Sequence, residues 1–234
     1  MRRFAYCSNT RERLKLGTPV ASVATEGLYI VNSAFDGDTY SLGWRMIMKS
    51  VTGSQTLLEN SEASVAKNIN WYFMVVDDDL KFFNAPTGAI TIFEGLQIDH
   101  EYSIWVDVDY EDLYVFVYDR TTGILTEDTL SITAYAAADS LLSVLSDRNH
   151  SSPVVSSGTL WDLTWVGGGG SYPDLFLQNG LAIYQVSFYF PMREGSGISC
   201  IDVKGQLQAL STGGIFPGGI HWTGVDIDPT KRWQ

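Results

Sequence analysis

Tyr102-Ser103-Ile104-Trp105-Val106-Asp107-Val108-Asp109-Tyr110-Glu111-Asp112-Leu113-Tyr114-Val115-Phe116-Val117-Tyr118 decides the fold. Ile104, Val106 and Val108 fall on one side of an extended chain, and Trp105, Asp107 and Asp109 on the other. Leu113, Val115 and Val117 then alternate with Tyr114, Phe116 and Tyr118. A period of two is that of a strand with one face on a core. The pause at Asp109-Tyr110-Glu111-Asp112 marks a hairpin turn, because short polar side chains there compete for backbone hydrogen bonds.

The same pattern extends in both directions. Gly27–Phe35 runs into a turn at Asp36-Gly37-Asp38. Tyr40–Lys49 places Leu42, Trp44, Met46 and Met48 on one face. Gln55–Leu58 follows, then Trp71–Val76 and Leu80–Phe83 around Asp77-Asp78-Asp79, and then Ala89–Phe93. Ile124–Leu130, Leu141–Leu145 and Leu160–Val166 complete the run. Only Ser61–Lys67 and Tyr135–Leu142 could carry a helical turn, and neither is long enough for a crossover helix. The expected class is all-β, an antiparallel β-sandwich of jelly-roll type.

Four parts are expected: a basic arm (1–16), the sandwich (17–166), a Gly-rich joint (167–173) around Gly167–Gly170, and a C-terminal segment (174–234). The last holds a strand-like Leu181–Phe190 and a Gly-rich Gly213–Trp222.

The 234 residues are 45% apolar, with seven Trp, twelve Tyr and eleven Phe, enough for a large core without staples. Two cysteines, Cys7 and Cys200, do not make a disulfide scaffold. The net charge of −12 is uneven. Arg2, Arg3, Arg11, Arg13 and Lys15 face only Glu12, so the arm carries +4 and the rest −16. An acidic body repels nucleic acid and anionic lipid, so neither nucleic acid nor membrane is an expected partner. The arm is either a solvated terminus or an interface arm that docks on an acidic neighbouring subunit. No 18-residue apolar run and no signal-type apolar segment are present, which predicts a protein made in a cytoplasm and not carried across a membrane by the general secretory route.

Residues 27–166 resemble the LamG-like jelly roll of the concanavalin A-like lectin/glucanase superfamily. The likeness is carried by Ala34-Phe35-Asp36-Gly37 with Tyr40-Ser41-Leu42-Gly43-Trp44. It continues in His100-Glu101-Tyr102-Ser103-Ile104-Trp105-Val106 with Leu113-Tyr114-Val115, and in Gly158-Thr159-Leu160-Trp161-Asp162-Leu163. Gly180–Tyr184, Phe190–Gly197 and Gly219–Trp222 look like the opening of such domains, yet here they come last. The resemblance therefore implies a circularly permuted fold or strand exchange between subunits. It also implies a structural calcium held by Asp36, Asp38 and Asp162. The alternative reading of these residues is turn formation. Phage virion proteins carry domains that look like this one, which implies a virion location, other virion proteins as partners, and a homo-oligomer.

Three chemistries compete on the hairpin. Asp107, Asp109 and Glu111 have the spacing of laminarinase-like carboxylates, but the pause in alternation favours a solvated turn over catalysis. His100, His150 and His221 form no metal or nucleophile spacing, and the glycines at 167–170 lack a phosphate-loop lysine. Trp105, Tyr114, Phe116 and Tyr118 share a face and form either a platform for a host surface glycan or a face buried under an adjacent subunit. The expected role is a non-catalytic phage virion structural protein, in capsid decoration or the tail. A carbohydrate-binding receptor protein is the alternative, and a glycoside hydrolase ranks below it.

Overall fold

Alternating apolar residues on short strands can be buried only by stacking one sheet on another. The protein does this in a computed structural model that describes residues 37–62, 69–136, 140–144, 159–168, 171, 173–177 and 186–190. It also describes strand backbone at 14–16, 27–31, 199–201, 208–212 and 220–222. In chain order the strands are β1 (Leu14–Leu16), β2 (Gly27–Val31), β3 (Thr39–Ile47), β4 (Ser54–Glu62), β5 (Ile69–Val76), β6 (Asp79–Asn84), β7 (Gly88–Phe93) and β8 (Glu101–Asp109). They continue with β9 (Asp112–Asp119), β10 (Ile124–Ser131), β11 (Ser140–Val144) and β12 (Thr159–Gly167). After a short helix, α1 (Pro173–Leu177), come β13 (Phe188–Phe190), β14 (Ser199–Ile201), β15 (Gln208–Thr212) and β16 (Ile220–Trp222).

The first sheet has the order β10-β9-β8-β3-β12-β1-β16, and β13 also pairs with β12. The second has the order β14-β15-β2-β11-β4-β5-β6-β7. Pairing among the described strands is antiparallel throughout. The molecule is thus an antiparallel β-sandwich. The C-terminal segment adds strands to both sheets of its own chain: β13 lies on β12, β15 on β2 and β16 on β1.

The hairpin is in place. Asp109 pairs with Asp112, so Tyr110 and Glu111 form a two-residue loop, with Tyr110 at φ 53°. Asp77 occupies the same kind of position between β5 and β6, at φ 55°. Left-handed backbone in such loops matches the twist of the flanking strands.

The helical turns expected at Ser61–Lys67 and Tyr135–Leu142 do not form where they can be seen. Ser61 belongs to β4, and residues 63–68 lie outside the described residues. After β10 the chain crosses from one sheet to the other. Ile132 N donates to Glu111 O (2.8 Å), Asn84 Nδ2 to Thr133 O (2.9 Å) and the Tyr135 hydroxyl to Asn70 Oδ1 (3.1 Å). These long-range bonds hold residues 132–135 in place of a helical turn; residues 137–139 lie outside the described residues, and Ser140–Leu142 belong to β11. The helical turn occurs instead at α1, where Pro173 starts it and Asp174 sits in its first turn.

Aromatic rings join the sheets. Tyr40 of β3 stacks on Trp165 of β12 at 4.6 Å and on Trp71 of β5, in the opposite sheet, at 5.4 Å. Trp71 meets Phe73 edge-on at 5.7 Å, and Phe73 reaches Trp44 back in the first sheet at 5.0 Å. Burial pushes the Tyr40 hydroxyl well above its usual range, so it stays neutral. The indole N–H groups of Trp44 and Trp71 are buried with no hydrogen-bond partner among the described residues, a cost of about 1–3 kcal/mol each. The prediction is asymmetric. Trp71→Ala should lower unfolding free energy by about 3–5 kcal/mol. Trp71→Phe should lose much less, because it keeps a ring in the stack and removes an unpaired donor. Urea titration checks this, and equal losses for the two variants would contradict the ring-stack account.

Candidate functional site

The register of β8 and β9 brings the hairpin aromatics onto one face of the first sheet. Trp105 pairs with Phe116, Asp107 with Tyr114, and Ser103 with Tyr118. This is the outer face, away from the partner sheet. There the four residues part company. Trp105 is fully buried, whereas Tyr114, Phe116 and Tyr118 are half-buried.

Trp105 is therefore not an open platform. Phe176 of α1 lies over it at 5.3 Å, and Val166, Leu177 and Val186 close the cluster. The cover comes from the chain itself, where the sequence suggested a neighbouring subunit. Both β3 and β8 are consequently buried on both faces along most of their length. Gly43, directly opposite Trp105, makes the packing possible. A Cβ there would stand 2.6 Å from Trp105 Cε3 and 3.1 Å from Phe176 Cε2.

Polar groups lock this cover. Trp105 Nε1 donates to Asp107 Oδ1 at 2.7 Å, and the Ser171 hydroxyl donates to Asp107 Oδ2. Arg45 is 3% exposed and donates through Nη2 to Phe176 O at 3.2 Å, with its guanidinium carbon 5.4 Å from the Phe176 ring centre. Arg120 donates to Leu177 O at 3.2 Å and pairs with Glu101 at 3.2 Å. Two arginines thus satisfy carbonyls at the end of α1 that the helix itself cannot.

Asp162 is the counter-ion of Arg45, at 3.1 Å, and accepts a hydrogen bond from the Tyr189 hydroxyl at 2.7 Å. A β-bulge between Trp161 and Thr164 places it there, with Asp162 at φ 53°. Burial pulls the Arg45 guanidinium below its ordinary value, and Asp162 pushes it back.

The calcium reading fails at this residue. A divalent cation on Asp162 would sit beside a buried guanidinium, and the donor set does not fit it. Among the described residues, Asp38 accepts a hydrogen bond from the Thr39 hydroxyl at 3.5 Å, and Asp36 lies outside them. No group of three metal-ligating side chains occurs among the described residues.

The carboxylates of the hairpin separate as well. Both oxygens of Asp107 are used to hold Trp105 and Ser171. Asp109 and Glu111 are exposed at the hairpin end. Tyr114 bonds Asp112 at 3.4 Å, and Asp112, above all other causes, raises its pKa, so its hydroxyl stays protonated. His100 meets Asp119 at 2.8 Å. Burial works to raise the Asp119 pKa, but hydrogen bonds from His100, Thr122 and Thr121 outweigh it, and the carboxyl is held below its ordinary value. Among the arm residues, Lys15 lies in β1 opposite Thr159 and His221, and Arg2, Arg3, Arg11 and Arg13 lie outside the described residues.

What stays accessible is a strip: Tyr114, Phe116 and Tyr118, bordered by Thr129, Glu127 and Leu125 of β10. Gly43, Arg45, Phe176, Ser171 and Tyr189 complete the face and were missed from sequence. The available signals were a glycine and an arginine inside the apolar strand Leu42–Met46.

Gly43→Ala should displace Trp105 or α1 and cost about 1–3 kcal/mol, with a red shift of tryptophan emission. An unchanged emission spectrum and midpoint would show that α1 does not seal the indole. Asp119→Asn should remove part of the acid limb of stability. The depressed carboxyl contributes stability above its unfolded pKa and loses it as pH falls from about 4 through the folded value. A melting-temperature series between pH 6 and pH 2.5 reads this directly, and parallel curves for both proteins would refute it.

No protein-family model matches the chain, and neither does any curated protein sequence. Solved structures do match in shape. A "putative carbohydrate binding protein" from Bacteroides ovatus superposes with a TM-score of 0.62 at 9% identity, over 92% of this chain and 60% of that one. This chain thus spans less than two thirds of that protein's length. The heptameric SAP-like pentraxin of Limulus polyphemus gives 0.56 at 8% identity, over 73% of this chain and 82% of the pentraxin. The enzymatically active domain of tailspike protein 2 from bacteriophage CBA120 gives 0.51 at 14% identity, over 72% of this chain and 29% of that one. These likenesses establish the fold: an all-β, concanavalin A-like jelly-roll sandwich.

Proposed function

We propose that the protein is a non-catalytic structural component of a phage virion, located on the particle as capsid decoration or in the tail. Its lectin-like jelly roll serves as a packing module against other virion proteins. One observation carries the non-catalytic part. Asp107, one of the three carboxylates of the hydrolase reading, spends both oxygens on Trp105 and Ser171 beneath the chain's own helix. A retaining glycosidase needs two free carboxyls about 5–5.5 Å apart facing a substrate. The tailspike likeness supports the virion setting, although that domain is itself enzymatically active. The acidic body is consistent with protein partners rather than nucleic acid.

A second reading, carbohydrate binding, is favoured by the half-buried strip Tyr114, Phe116 and Tyr118, whose rings and hydroxyls suit a sugar face. The two readings are separated by one pair of measurements. Gradient-purified particles should contain the chain at a fixed ratio to the major coat protein. A chain found only in the soluble lysate would end the virion reading. Host polysaccharide should bind no better to the native chain than to Phe116→Ala. A loss of tenfold or more in that variant would move the conclusion to the glycan reading.

A further inference from the structure

Among the described residues, the strand β10 ends the first sheet with one side unpaired, and it is exposed along almost its whole length. Ile124 is 62% exposed and Leu125 42%, on opposite faces of the strand. At its middle stand Glu127 and Asp128, again one on each face. An unpaired edge of eight residues with exposed apolar side chains is a template for another strand.

The acids decide which strand. In a two-fold pairing of β10 with β10 of a second copy, the central registers set Glu127 and Asp128 against each other or against themselves. Like charges directly opposite are destabilising. A basic partner is favoured, and the chain has a basic stretch in its first residues. Arg2 and Arg3 are adjacent, so on an extended chain they point to opposite faces, as Glu127 and Asp128 do. In the antiparallel register that sets Arg2 opposite Asp128, Arg3 falls opposite Glu127. Phe4 then falls opposite Thr126, Ala5 opposite Leu125 and Tyr6 opposite Ile124. Both arginines meet acids, and the two exposed apolar residues of the edge meet Ala5 and Tyr6. The parallel register that pairs the charges sets residues 2–6 against Glu127–Ser131, away from Ile124 and Leu125.

We propose that residues 2–6 of a second copy of this chain add as a strand to the free edge of β10. The donor is a second copy because of reach. Leu14 sits in β1, five strands from β10, so the added strand lies about 29 Å away at 4.8 Å per spacing. Eight residues from Tyr6 to Leu14, pulled straight, span roughly 27 Å. A chain cannot comfortably serve its own edge, whereas a neighbour's arm can. The proposal does not depend on the virion reading and is tested on purified chain alone.

Light scattering of the full chain in about 0.1 M salt should give a mass at least twice 25.9 kDa, falling towards the monomer as salt is raised. The double variants Arg2→Glu with Arg3→Glu, and Glu127→Lys with Asp128→Lys, should each run as monomers, with circular dichroism unchanged. Mixing the two should restore the oligomer, because each acidic arm then finds a basic edge and each basic arm an acidic one. A monomeric native chain would overturn the proposal. So would an oligomer indifferent to Arg2 and Arg3, or a mixture that stays monomeric.

Discussion

A guanidinium buried on the outside of a sheet is the constraint on which the closed face depends. Arg45 lies within the apolar strand Leu42–Met46 and is nearly inaccessible. Removing a charge from water costs several kcal/mol unless it is paired and its donors are used. Here Asp162 supplies the charge, and the carbonyl of Phe176 takes a donor. Neither partner is a neighbour in sequence, so the bulge in β12 and the helix α1 are both committed to one side chain. Loss of Asp162 alone would leave the cation stranded. Replacement of both by apolar residues would be far milder, because the penalty lies in the unpaired charge.

That commitment divides the outer face in two. Towards β3 and β12, α1 sits on Trp105 because Gly43 leaves the indole room and Asp107 fixes its N–H. Towards β9 and β10, no helix among the described residues follows, and Tyr114, Phe116 and Tyr118 keep a partly open side. The likeness to carbohydrate-binding and tailspike domains reaches only the fold at these identities, and a fold hosts many functions. What separates binding modes is therefore which aromatics remain uncovered, and α1 removes the largest of them.

Much of the sandwich was legible because its cause is local. Alternation in Tyr102–Val108 and Leu113–Tyr118 fixes strand, face and turn without reference to the rest of the chain. The same holds for Trp71–Val76 and Leu80–Phe83, whereas in Leu160–Val166 the strand was legible and the bulge that turns its faces was not. What was not legible has non-local causes. Arg45 and the Phe176 carbonyl are 131 residues apart. Asp162 looks like a turn or metal carboxylate until the arginine beside it is known. Tyr135 reads as helical from its neighbours, but its hydroxyl is bound to Asn70 across the sandwich. The five residues of α1 are too few to show a helical period, and the glycines before them read as a joint.

Charge sets the boundary of the fold. With −16 outside the first sixteen residues, acidic groups concentrate where strands end or lie at an edge: Asp77 and Asp78, Asp109 to Asp112, Glu127 and Asp128. Buried acids such as Asp107 and Asp162 need dedicated partners, whereas those at turns and edges stay in water and act as repulsive markers there. This keeps one sandwich from zipping onto another through like edges. It also means that any strand admitted there must bring positive charge. In this chain, five of the fifteen Lys and Arg residues fall in the first fifteen positions against a single acid, so that stretch is opposite in net sign to the remainder. Segregation of this kind separates the roles of donor and acceptor: the acidic edge rejects its own copy in the self-pairing geometry and accepts it in the arm-to-edge geometry. Affinity and specificity then come from the same few side chains.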